Sequence, residues 1–266
     1  MDVLQQAPRH LVDAYQRLKK SGVLSEDNYL QRKIDAYNDL PGKLTGYDCE
    51  RCHNKGYVAV IEDGEEVMRE CSCMPIRQSM RIIRESGLQE MLERYTFDSY
   101  TTSERWQAEA KRAAVAYAEH PSGWFFIGGA VGSGKTHLCT AICDKLMQQE
   151  IPVRYMLWRD EAAILKAIVN EPDYEDRIKP YKTVRCLYID DFFKVGRGNV
   201  TDGDINLAFE ILNARYARED FYTIISSEKT IGDIIDIDEA IGSRIYQRSK
   251  GKYIAITQNG ADWRLK

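Results

Sequence analysis

One stretch, GAVGSGKT at residues 129–136, limits what this chain can fold into more than any other part of it. It fits the pattern GxxxxGK[ST], in which glycines let the backbone curl so that its N–H groups point at an anion. The apolar run WFFIGG precedes it and the apolar helical pattern HLCTAICDKL follows it. Because a loop of this kind joins a strand to a helix, the stretch predicts a strand, an anion-binding turn and a helix.

The residue types in this loop predict a site for a nucleoside triphosphate such as ATP. Lys135 is expected to reach the β- and γ-phosphates, and Thr136 is expected to place its hydroxyl on Mg²⁺. The nucleotide is expected to contact nine consecutive residues: Gly129, Ala130, Val131, Gly132, Ser133, Gly134, Lys135, Thr136 and His137. The alternative, a glycine-rich turn without a ligand, is disfavoured by the strand and helix patterns on either side.

A second apolar run, VRCLYIDD, ends in two acids that suit a magnesium nucleotide. Asp190 is expected to hold Mg²⁺, directly or through water, and Asp191 is expected to orient the attacking water. A strand that merely ends in a polar turn is the alternative, which the glycine-rich loop makes less attractive. A third run, FYTIISS, ends in two serines, and Ser227 is the candidate to lie between the acids and the γ-phosphate.

Strand-like and helical runs alternate from residue 106 onward, which predicts an α/β fold with a parallel sheet between helices. Before them, helical patterns cover 9–21, 25–39 and 75–94, and the last carries an arginine stripe formed by Arg77, Arg81 and Arg84. An arginine stripe is usually a solvated face, and contact with DNA or a partner is the alternative. We expect two domains, 1–94 and 95–266, joined by the linker-like segment YTFDSYTTSE.

The overall charge excludes a protein that binds nucleic acid through a basic surface over its whole length. The formal net charge is -4, so any contact with nucleic acid must come from a local basic surface. The first residues lack a secretory pattern and no apolar stretch is long enough to span a bilayer, so we expect a cytoplasmic protein with no membrane partner.

Four of the seven cysteines fall within DCERCHNKGYVAVIEDGEEVMRECSCM. They could form disulfides, redox pairs, a metal site or packing contacts. Two β-rich runs around Asp63-Gly64 predict a hairpin that brings the pairs together, and a reducing compartment disfavours disulfides. We therefore expect Zn²⁺ on Cys49, Cys52, Cys71 and Cys73, although CxC is a tight second pair and His53 could replace one cysteine. The other cysteines match buried helix or strand patterns.

The order of motifs resembles that of AAA+ ATPases, and in particular the DnaC/DnaI-type replicative helicase loaders of phages and prophages. The resemblance is carried by the cysteine module, YTFDSY, GGAVGSGKTHL, LYIDDFFK, TIISSEKT and DEAIGSRIYQR, and it covers nearly the whole chain. It implies a three-layer AAA+ fold preceded by a small helical and zinc-hairpin module. Many related ATPases have glutamate where this chain has Asp191, and the shorter side chain predicts slow intrinsic hydrolysis.

The resemblance also implies a function and its partners. It implies an ATP-dependent loader that places a hexameric replicative helicase on single-stranded DNA and self-associates through its ATP interfaces, with residues 1–94 docking on the helicase. Arg244 would be a finger that reaches the neighbouring subunit's ATP, with Arg248 as the fallback. The alternative for Arg244 is a salt bridge within its own subunit, to Asp236, Asp238 or Glu239. Arg264 could be the remnant of a second arginine sensor.

Two further features leave alternatives open. The loop FFKVGRGNV and the basic residues after Gly242 suit single-stranded DNA, unless Phe192 and Phe193 are core residues.

An IstB-like transposition helper ATPase and a nucleotide-sensing adaptor that does not turn ATP over are the rival functions. The cysteine module weighs against the first. A DnaA-like initiator is also disfavoured, because we expect such a protein to continue into a duplex-DNA domain.

Overall fold

The computed structural model describes residues 26–85, 89–196 and 198–257, together with Arg9, Asp13 and Arg17. The chain divides into two compact units, Met1–Arg77 and Gln78–Lys266. The helix that the sequence predicts over 9–21 lies almost wholly outside the described residues.

The first unit is built around a hairpin that forms where the sequence predicts it. Helix α1 (Glu26–Asp39) precedes strands β1 (Tyr57–Glu62) and β2 (Glu65–Glu70), which pair antiparallel. Asp63 and Gly64 have φ values of 53° and 84°, the left-handed conformation that a tight hairpin turn requires. The Asn38 side chain at the end of α1 exchanges two 2.9 Å hydrogen bonds with the backbone of Ala59 and so fixes the helix along β1.

Helix α2 (Cys73–Glu85) follows the hairpin and spans the boundary between the units, and α3 (Gln89–Arg94) comes next. The second unit continues in chain order through the following elements: α4 (Arg105–Glu119), β3 (Trp124–Gly129), α5 (Lys135–Gln148), β4 (Val153–Leu157), α6 (Trp158–Ala167), α7 (Tyr174–Thr183), β5 (Cys186–Asp190), α8 (Asp202–Tyr216), β6 (Tyr222–Ser227), α9 (Ile231–Ile237), α10 (Glu239–Arg248) and β7 (Tyr253–Ile256).

The second unit is a five-stranded sheet in the order β4-β5-β6-β3-β7, with parallel pairing throughout. Every residue of β3 is buried, and successive side chains point to opposite sides of the sheet. Phe125 and Ile127 pack with α4 and α5, whereas Trp124 and Phe126 pack with α6 to α10. The sheet therefore lies between two helical layers, which confirms the expected α/β architecture.

The carboxyl ends of β3, β5 and β6 meet at one edge of the sheet, where ligands bind in folds of this kind. Arg215 lies towards the amino ends, fully buried, and donates to the carbonyl oxygens of Tyr181, Val184, Arg185 and Tyr222 and to the hydroxyl of Thr223. These bonds tie α8 to α7, β5 and β6. Among the described helices, none is long and apolar enough to cross a membrane.

Candidate nucleotide and metal sites

The glycine-rich loop lies between β3 and α5, as the sequence predicts. Gly134, the last residue before α5, has a φ of 83°, and a Cβ there would lie 2.8 Å from the Tyr100 ring. Gly129 has a φ of 115°, and its Cβ would meet the Ile256 carbonyl oxygen at 2.1 Å. Both positions therefore require glycine. A loop of this shape directs N–H groups and the positive end of a helix dipole towards a bound anion.

The Lys135 side chain folds back over the glycine-rich loop. Its Nζ donates to the carbonyl oxygens of Gly129 and Ala130, at 2.9 and 2.7 Å, and Ser133 Oγ donates to Ala130 at 2.7 Å. Burial lowers the pKa of Lys135 from its ordinary value, although Glu228, Asp191 and Asp190 act in the opposite direction. The ammonium group is thus held over the loop, ready to exchange a backbone oxygen for a phosphate oxygen.

A cavity of about 350 Å³ opens over this loop. Residues 131–137 form one wall, Met91 and Tyr95 form a second, and Asp191, Lys194 and Glu228 form a third. The volume is within the range of small-ligand sites. One side is apolar and aromatic and the other is charged, which suits a molecule with a flat base at one end and phosphates at the other.

Asp190 ends β5 beside the loop. Its carboxylate accepts from Thr136 Oγ1 and from the Tyr155 hydroxyl, both at 3.2 Å, and it also accepts a hydrogen bond from Ser226. Burial raises the pKa of Asp190, while the hydrogen bond from Ser226 opposes this shift. The hydroxyl of Thr136 and the carboxylate of Asp190 are oxygen ligands of the kind that Mg²⁺ prefers, so the pair fits the predicted metal site. When bound there, Mg²⁺ would neutralise phosphate charge.

Asp191 begins a tight turn at the mouth of the cavity. It has a φ of 54°, and Phe193 has a φ of 59°. Both values lie in the left-handed region that residues other than glycine usually avoid. Lys194 closes the turn by donating its N–H to the Asp191 carbonyl oxygen at 2.9 Å. Its Nζ lies 3.0 Å from Asp191 Oδ2 and 2.8 Å from Glu228 Oε1. Sequence reasoning missed Lys194 and Glu228 as cavity residues, although each follows an identified motif within a few positions.

The two serines at the end of β6 have different contacts. Ser226 Oγ bonds the Asp190 carboxylate and accepts from the Asp191 N–H at 3.2 Å. Ser227 Oγ instead donates to the Phe192 carbonyl oxygen at 2.7 Å and accepts from the Lys229 N–H at 3.0 Å. Ser226 therefore contacts the acidic pair directly, and Ser227 holds the turn that follows it. Side chains alternate between the two faces of the sheet along β6, and the register that pairs Ile189 with Ile225 puts Ser226 beside Asp190. Knowledge of that register could have separated the two serines.

His137 connects the first turn of α5 to the segment before α4. Its Nε2 lies 2.8 Å from the Thr96 carbonyl oxygen, so this nitrogen donates, and the Ser99 hydroxyl lies 3.2 Å away. The ring stacks on Tyr95 with centroids 4.7 Å apart and meets Tyr100 edge-on. Burial lowers the pKa of His137, which favours the neutral ring. The linker-like segment of the sequence is thus packed against the nucleotide loop.

Arg244 lies on α10, on the side of the sheet that carries α8. Its guanidinium carbon is 4.8 Å from the centre of the Phe209 ring and 5.4 Å from that of Tyr216, and Nη1 donates to the Ala240 carbonyl oxygen at 2.8 Å. Asp236, Asp238 and Glu239 were the alternative partners, and all three are described residues of α9, α10 and the position between them. None of them forms an ion pair with Arg244. Arg248 donates to the Arg218 carbonyl oxygen at 3.0 Å.

The loop after β5 is not an aromatic surface for DNA. Phe192 and Phe193 are 0% and 1% exposed, stack on each other and pack against Trp158. The reason is the turn at Asp191, which directs both rings into the core beneath α6. Stacking of DNA bases on these rings was an open expectation, and it is wrong in this fold. Arg197 and Arg264 lie outside the described residues.

The four cysteines of the first unit converge as predicted. The Sγ atoms of Cys49, Cys52, Cys71 and Cys73 all lie within 4.8 Å of one another, and all four residues are buried. Cys49 and Cys71 are 3.8 Å apart and Cys52 and Cys73 are 3.6 Å apart at sulfur. A tetrahedral zinc site with Zn–S bonds of about 2.3 Å has edges of about 3.8 Å, so the cluster fits Zn²⁺. His53 lies outside this cluster.

Groups around the cluster act on its thiols in different directions. Burial raises the pKa of Cys71 and raises that of Cys73 to about 12. The Gly56 N–H donates to Cys52 Sγ at 3.3 Å, and Arg77 Nε approaches Cys73 Sγ at 3.5 Å. Although burial acts to raise it, the bonds from Gly56 and the neighbouring thiols lower the pKa of Cys52 to about 6. Arg77 also donates to the Thr45 carbonyl oxygen and to Asn54. This member of the arginine stripe therefore supports the cysteine knuckle and is not a merely solvated residue.

Comparisons with known proteins match the second unit and much of the first. Residues 91–249 match the family model described as the bacterial DnaA ATPase domain. The chain is 31% identical, over 90% of its own length and 93% of the other, to the phage-like element PBSX protein XkdC of Bacillus subtilis strain 168.

Two solved structures share the fold. One is described as the DnaC helicase loader, with a TM-score of 0.56 and 20% identity, covering 64% of this chain and 99% of that one. The other is a replication initiator DnaA bound to AMPPCP and single-stranded DNA, with a TM-score of 0.52 and 22% identity, covering 62% of this chain and 50% of that one. The chain spans about a third of the curated DnaA initiator from Roseiflexus castenholzii that it also matches, since 34% of that protein is covered.

Proposed function

The chain belongs to the bacterial DnaA ATPase domain family of AAA+ proteins, and from this premise we propose that it is a phage-type loader that uses ATP to place a ring-shaped replicative helicase on single-stranded DNA. The observation that carries the ATPase part is one cavity lined by the glycine-rich loop, Lys135, Thr136 and Asp191, with Asp190 bonded to Thr136 beside it. The loader part is supported by similarity to a phage-element protein over nearly all of both chains and by the fold shared with a helicase loader.

The residues of the cavity fit hydrolysis of the γ-phosphate. Lys135 would give up its bonds to Gly129 and Ala130 and hold the β- and γ-phosphates, while Thr136 and Asp190 would hold Mg²⁺. Asp191 would orient a water whose oxygen attacks the γ-phosphorus. As that bond forms, the bond to the β,γ-bridging oxygen breaks and ADP leaves with the electron pair. The proton of the water passes to Asp191 or to the released phosphate.

Two further parts of the proposal concern assembly. Subunits would associate through their ATP interfaces, so that Arg244 reaches a neighbour's γ-phosphate and stabilises its charge in the transition state. Hydrolysis would then follow assembly on the helicase, and the isolated protein would turn over slowly. The N-terminal module, residues 1–94, would dock on the hexameric helicase in the cytoplasm, held rigid by Zn²⁺ on its cysteine cluster.

The decisive experiment is co-purification of the full-length chain with the ring helicase of its host at saturating ATP. We expect a complex with the wild-type protein and a weaker one with Lys135→Ala, because that variant loses the phosphate contact. In the same complex Asp191→Asn should bind ATP but lose most hydrolysis and loading, whereas a nucleotide-sensing adaptor would lose nothing. If no ring helicase forms a complex at saturating ATP, the loader function is refuted, whatever the rate of hydrolysis.

A further inference from the structure

The cavity contains a second lysine that the mechanism above does not use. Lys194 Nζ lies 3.0 Å from Asp191 Oδ2 and 2.8 Å from Glu228 Oε1, so one ammonium group joins two carboxylates at the mouth of the cavity. We refer to Asp191, Lys194 and Glu228 as the Lys194 triad. Its side chains are between 29% and 34% exposed, so they face the cavity mouth and remain within reach of a ligand.

The backbone builds this triad and leaves it little freedom. The turn that begins at Asp191 places Lys194 three residues later on the same side, and the left-handed φ values of Asp191 and Phe193 fix its shape. Phe192 and Phe193 anchor the turn in the core, and Ser227 Oγ holds the Phe192 carbonyl oxygen. Glu228 follows Ser227 directly, so the end of β6 delivers the second carboxylate to the same ammonium group.

The ammonium group of Lys194 restrains the Asp191 carboxylate through a charged hydrogen bond. A carboxylate oxygen that accepts a hydrogen bond from an ammonium group has less capacity left to hold a water, and the bond from Lys194 to Asp191 is of this kind. Burial acts to lower the pKa of Lys194, yet its bonds to Glu228 and Asp191 raise that pKa above the ordinary value. Lys194 therefore stays charged, and its bond occupies Oδ2 of the residue that should orient the attacking water.

We propose that Lys194 is a latch on Asp191 that keeps basal ATP hydrolysis slow, and that Glu228 is the site to which the ammonium group moves when Asp191 is released. Because Lys194 already bonds both acids, releasing Asp191 does not leave the lysine without a counter-charge. Lys194 is thus a positioning residue that acts through Asp191. The inference rests on the proposed ATPase function and deepens it, since it names a built-in restraint within the same cavity.

The latch predicts that substitutions of Lys194 and of Glu228 change kcat in opposite directions. Lys194→Met should raise the basal kcat about two- to fivefold, the range that a partly exposed ion pair supports, with KM for ATP unchanged. Lys194→Arg keeps the charge and should return the rate to that of the wild type. Glu228→Gln removes the alternative partner, strengthens the hold on Asp191 and should lower kcat. In the double variant Lys194→Met, Glu228→Gln the rate should equal that of Lys194→Met, because Glu228 acts through the lysine.

A matched control exists on α7, where Lys182 bridges Glu175 and Glu210 at 3.3 and 2.7 Å, away from the cavity. Lys182→Met removes the same kind of bridge and should leave kcat unchanged. The measurement is steady-state ATP hydrolysis by the full-length protein with ATP affinity and thermal midpoint in parallel. Should Lys194→Met fail to fold, Lys194→Gln and Glu228→Gln carry the test.

The outcomes separate the latch from the proposed function. A kcat for Lys194→Met equal to or below that of the wild type overturns the latch, and a lower value would mean that Lys194 serves the γ-phosphate instead. A double variant slower than Lys194→Met overturns the role of Glu228 as the receiving site. If the wild type and Lys194→Met hydrolyse no ATP, alone or with a helicase, the ATPase function fails and the latch fails with it.

Discussion

Arg244 illustrates how a single residue can have one set of contacts within its own subunit and a different proposed role between subunits. Its guanidinium lies over the faces of Phe209 and Tyr216, a cation–π arrangement, and Phe209 is 37% exposed. Its Nε is buried and has no hydrogen-bond partner among the described residues. The aromatic bed therefore keeps the side chain ordered at the surface of α8 and α10, and one nitrogen still lacks an acceptor.

We predict that Arg244→Ala lowers ATP hydrolysis by the assembled protein at least tenfold, because a missing finger leaves the developing γ-phosphate charge unstabilised. Binding of ATP should change little, since the residue would act on the neighbouring subunit's nucleotide. Mixing Arg244→Ala with Lys135→Ala subunits should restore turnover at mixed interfaces, as one supplies the finger and the other the intact loop. Hydrolysis rates against mixing ratio provide the measurement.

Arg218→Ala is the matched control for this prediction. Arg218 also lies over an aromatic ring, 4.2 Å from the centre of Phe221, but it is exposed and follows the C-terminal end of α8. Its loss should leave turnover unchanged. Full activity of Arg244→Ala, or a loss that mixing does not restore, would argue that Arg244 serves only its own subunit.

At the same scale, the sequence correctly predicted those site residues that can be recognised from residue type and from spacing along the chain. Lys135, Thr136 and Asp190 lie together because the loop and the strand end are fixed by local patterns. It did not predict that Ser226 rather than Ser227 would contact Asp190, nor the contacts of Lys194. Those depend on the register between β5 and β6 and on a left-handed turn, and a side-chain pattern specifies neither.

At the scale of elements, the cysteine hairpin is too small to be stabilised by its own core. The buried cluster around its cysteines consists of these four residues and Val58, with Tyr47, Val60 and Met74 packed against it. Cys73 is also the first residue of α2, where the positive end of the helix dipole favours a thiolate, although burial raises the pKa of this thiol to about 12. A metal bound to the four cysteines would therefore stabilise this small structure together with the helix terminus and the Arg77 guanidinium.

We predict that the purified protein holds about one equivalent of zinc and that Cys73→Ser loses it, because three thiolates and a hydroxyl bind Zn²⁺ much less tightly. Zinc in finger peptides contributes about 10–16 kcal/mol, so the variant or a strong chelator should unfold the hairpin. Metal analysis and protease sensitivity of residues 40–77 report the two effects. ATP binding should persist.

Ser72→Ala, between Cys71 and Cys73, is the control that should keep both zinc and protease resistance, because Ser72 is exposed and is not a ligand. Less than about half an equivalent of zinc in the wild type, with no loss of structure on chelation, would instead assign the four thiols to packing.

Elements with weak local signals are the ones that the sequence did not indicate. Strand β7, YIAI, is short and follows a charged helix, and it joins the sheet only because β3 offers an edge. Helix α7 is polar and contains Pro180, so its pattern resembles a loop, yet buried Ile178 and Tyr181 dock it beside α8. In both elements, tertiary contacts outweigh local propensity.

At the scale of the whole molecule, the sequence and the structure divide the chain at different points. The change in sequence texture suggests a boundary after residue 94, whereas the compact units separate after Arg77. The residues between the two boundaries decide which division is functional. Met80, Met91 and Leu92 pack against the core beneath α4 and α5, and Met91 also lines the nucleotide cavity.

We therefore predict that two fragments differ although both contain the complete sheet and the glycine-rich loop. Fragment 78–266 should fold and bind ATP like the full chain. Fragment 95–266 should bind ATP about five- to tenfold more weakly, a difference of about 1 kcal/mol or more. It keeps Tyr95 but lacks Met91, one of the two residues of the apolar wall of the cavity, and it exposes apolar surface that α3 covers. Titration with a fluorescent ATP analogue and thermal unfolding of both fragments measure the difference.

Met91→Ala in fragment 78–266 separates the two causes, since it removes one side chain and leaves α3 in place. An intermediate affinity would assign part of the loss to Met91 and the rest to the helix. Equal affinity and equal thermal midpoint for 78–266 and 95–266 would show that the ATPase domain begins at residue 95. Residues 78–94 would then belong functionally to the docking module, and the contacts of α3 with the core would have no bearing on the nucleotide.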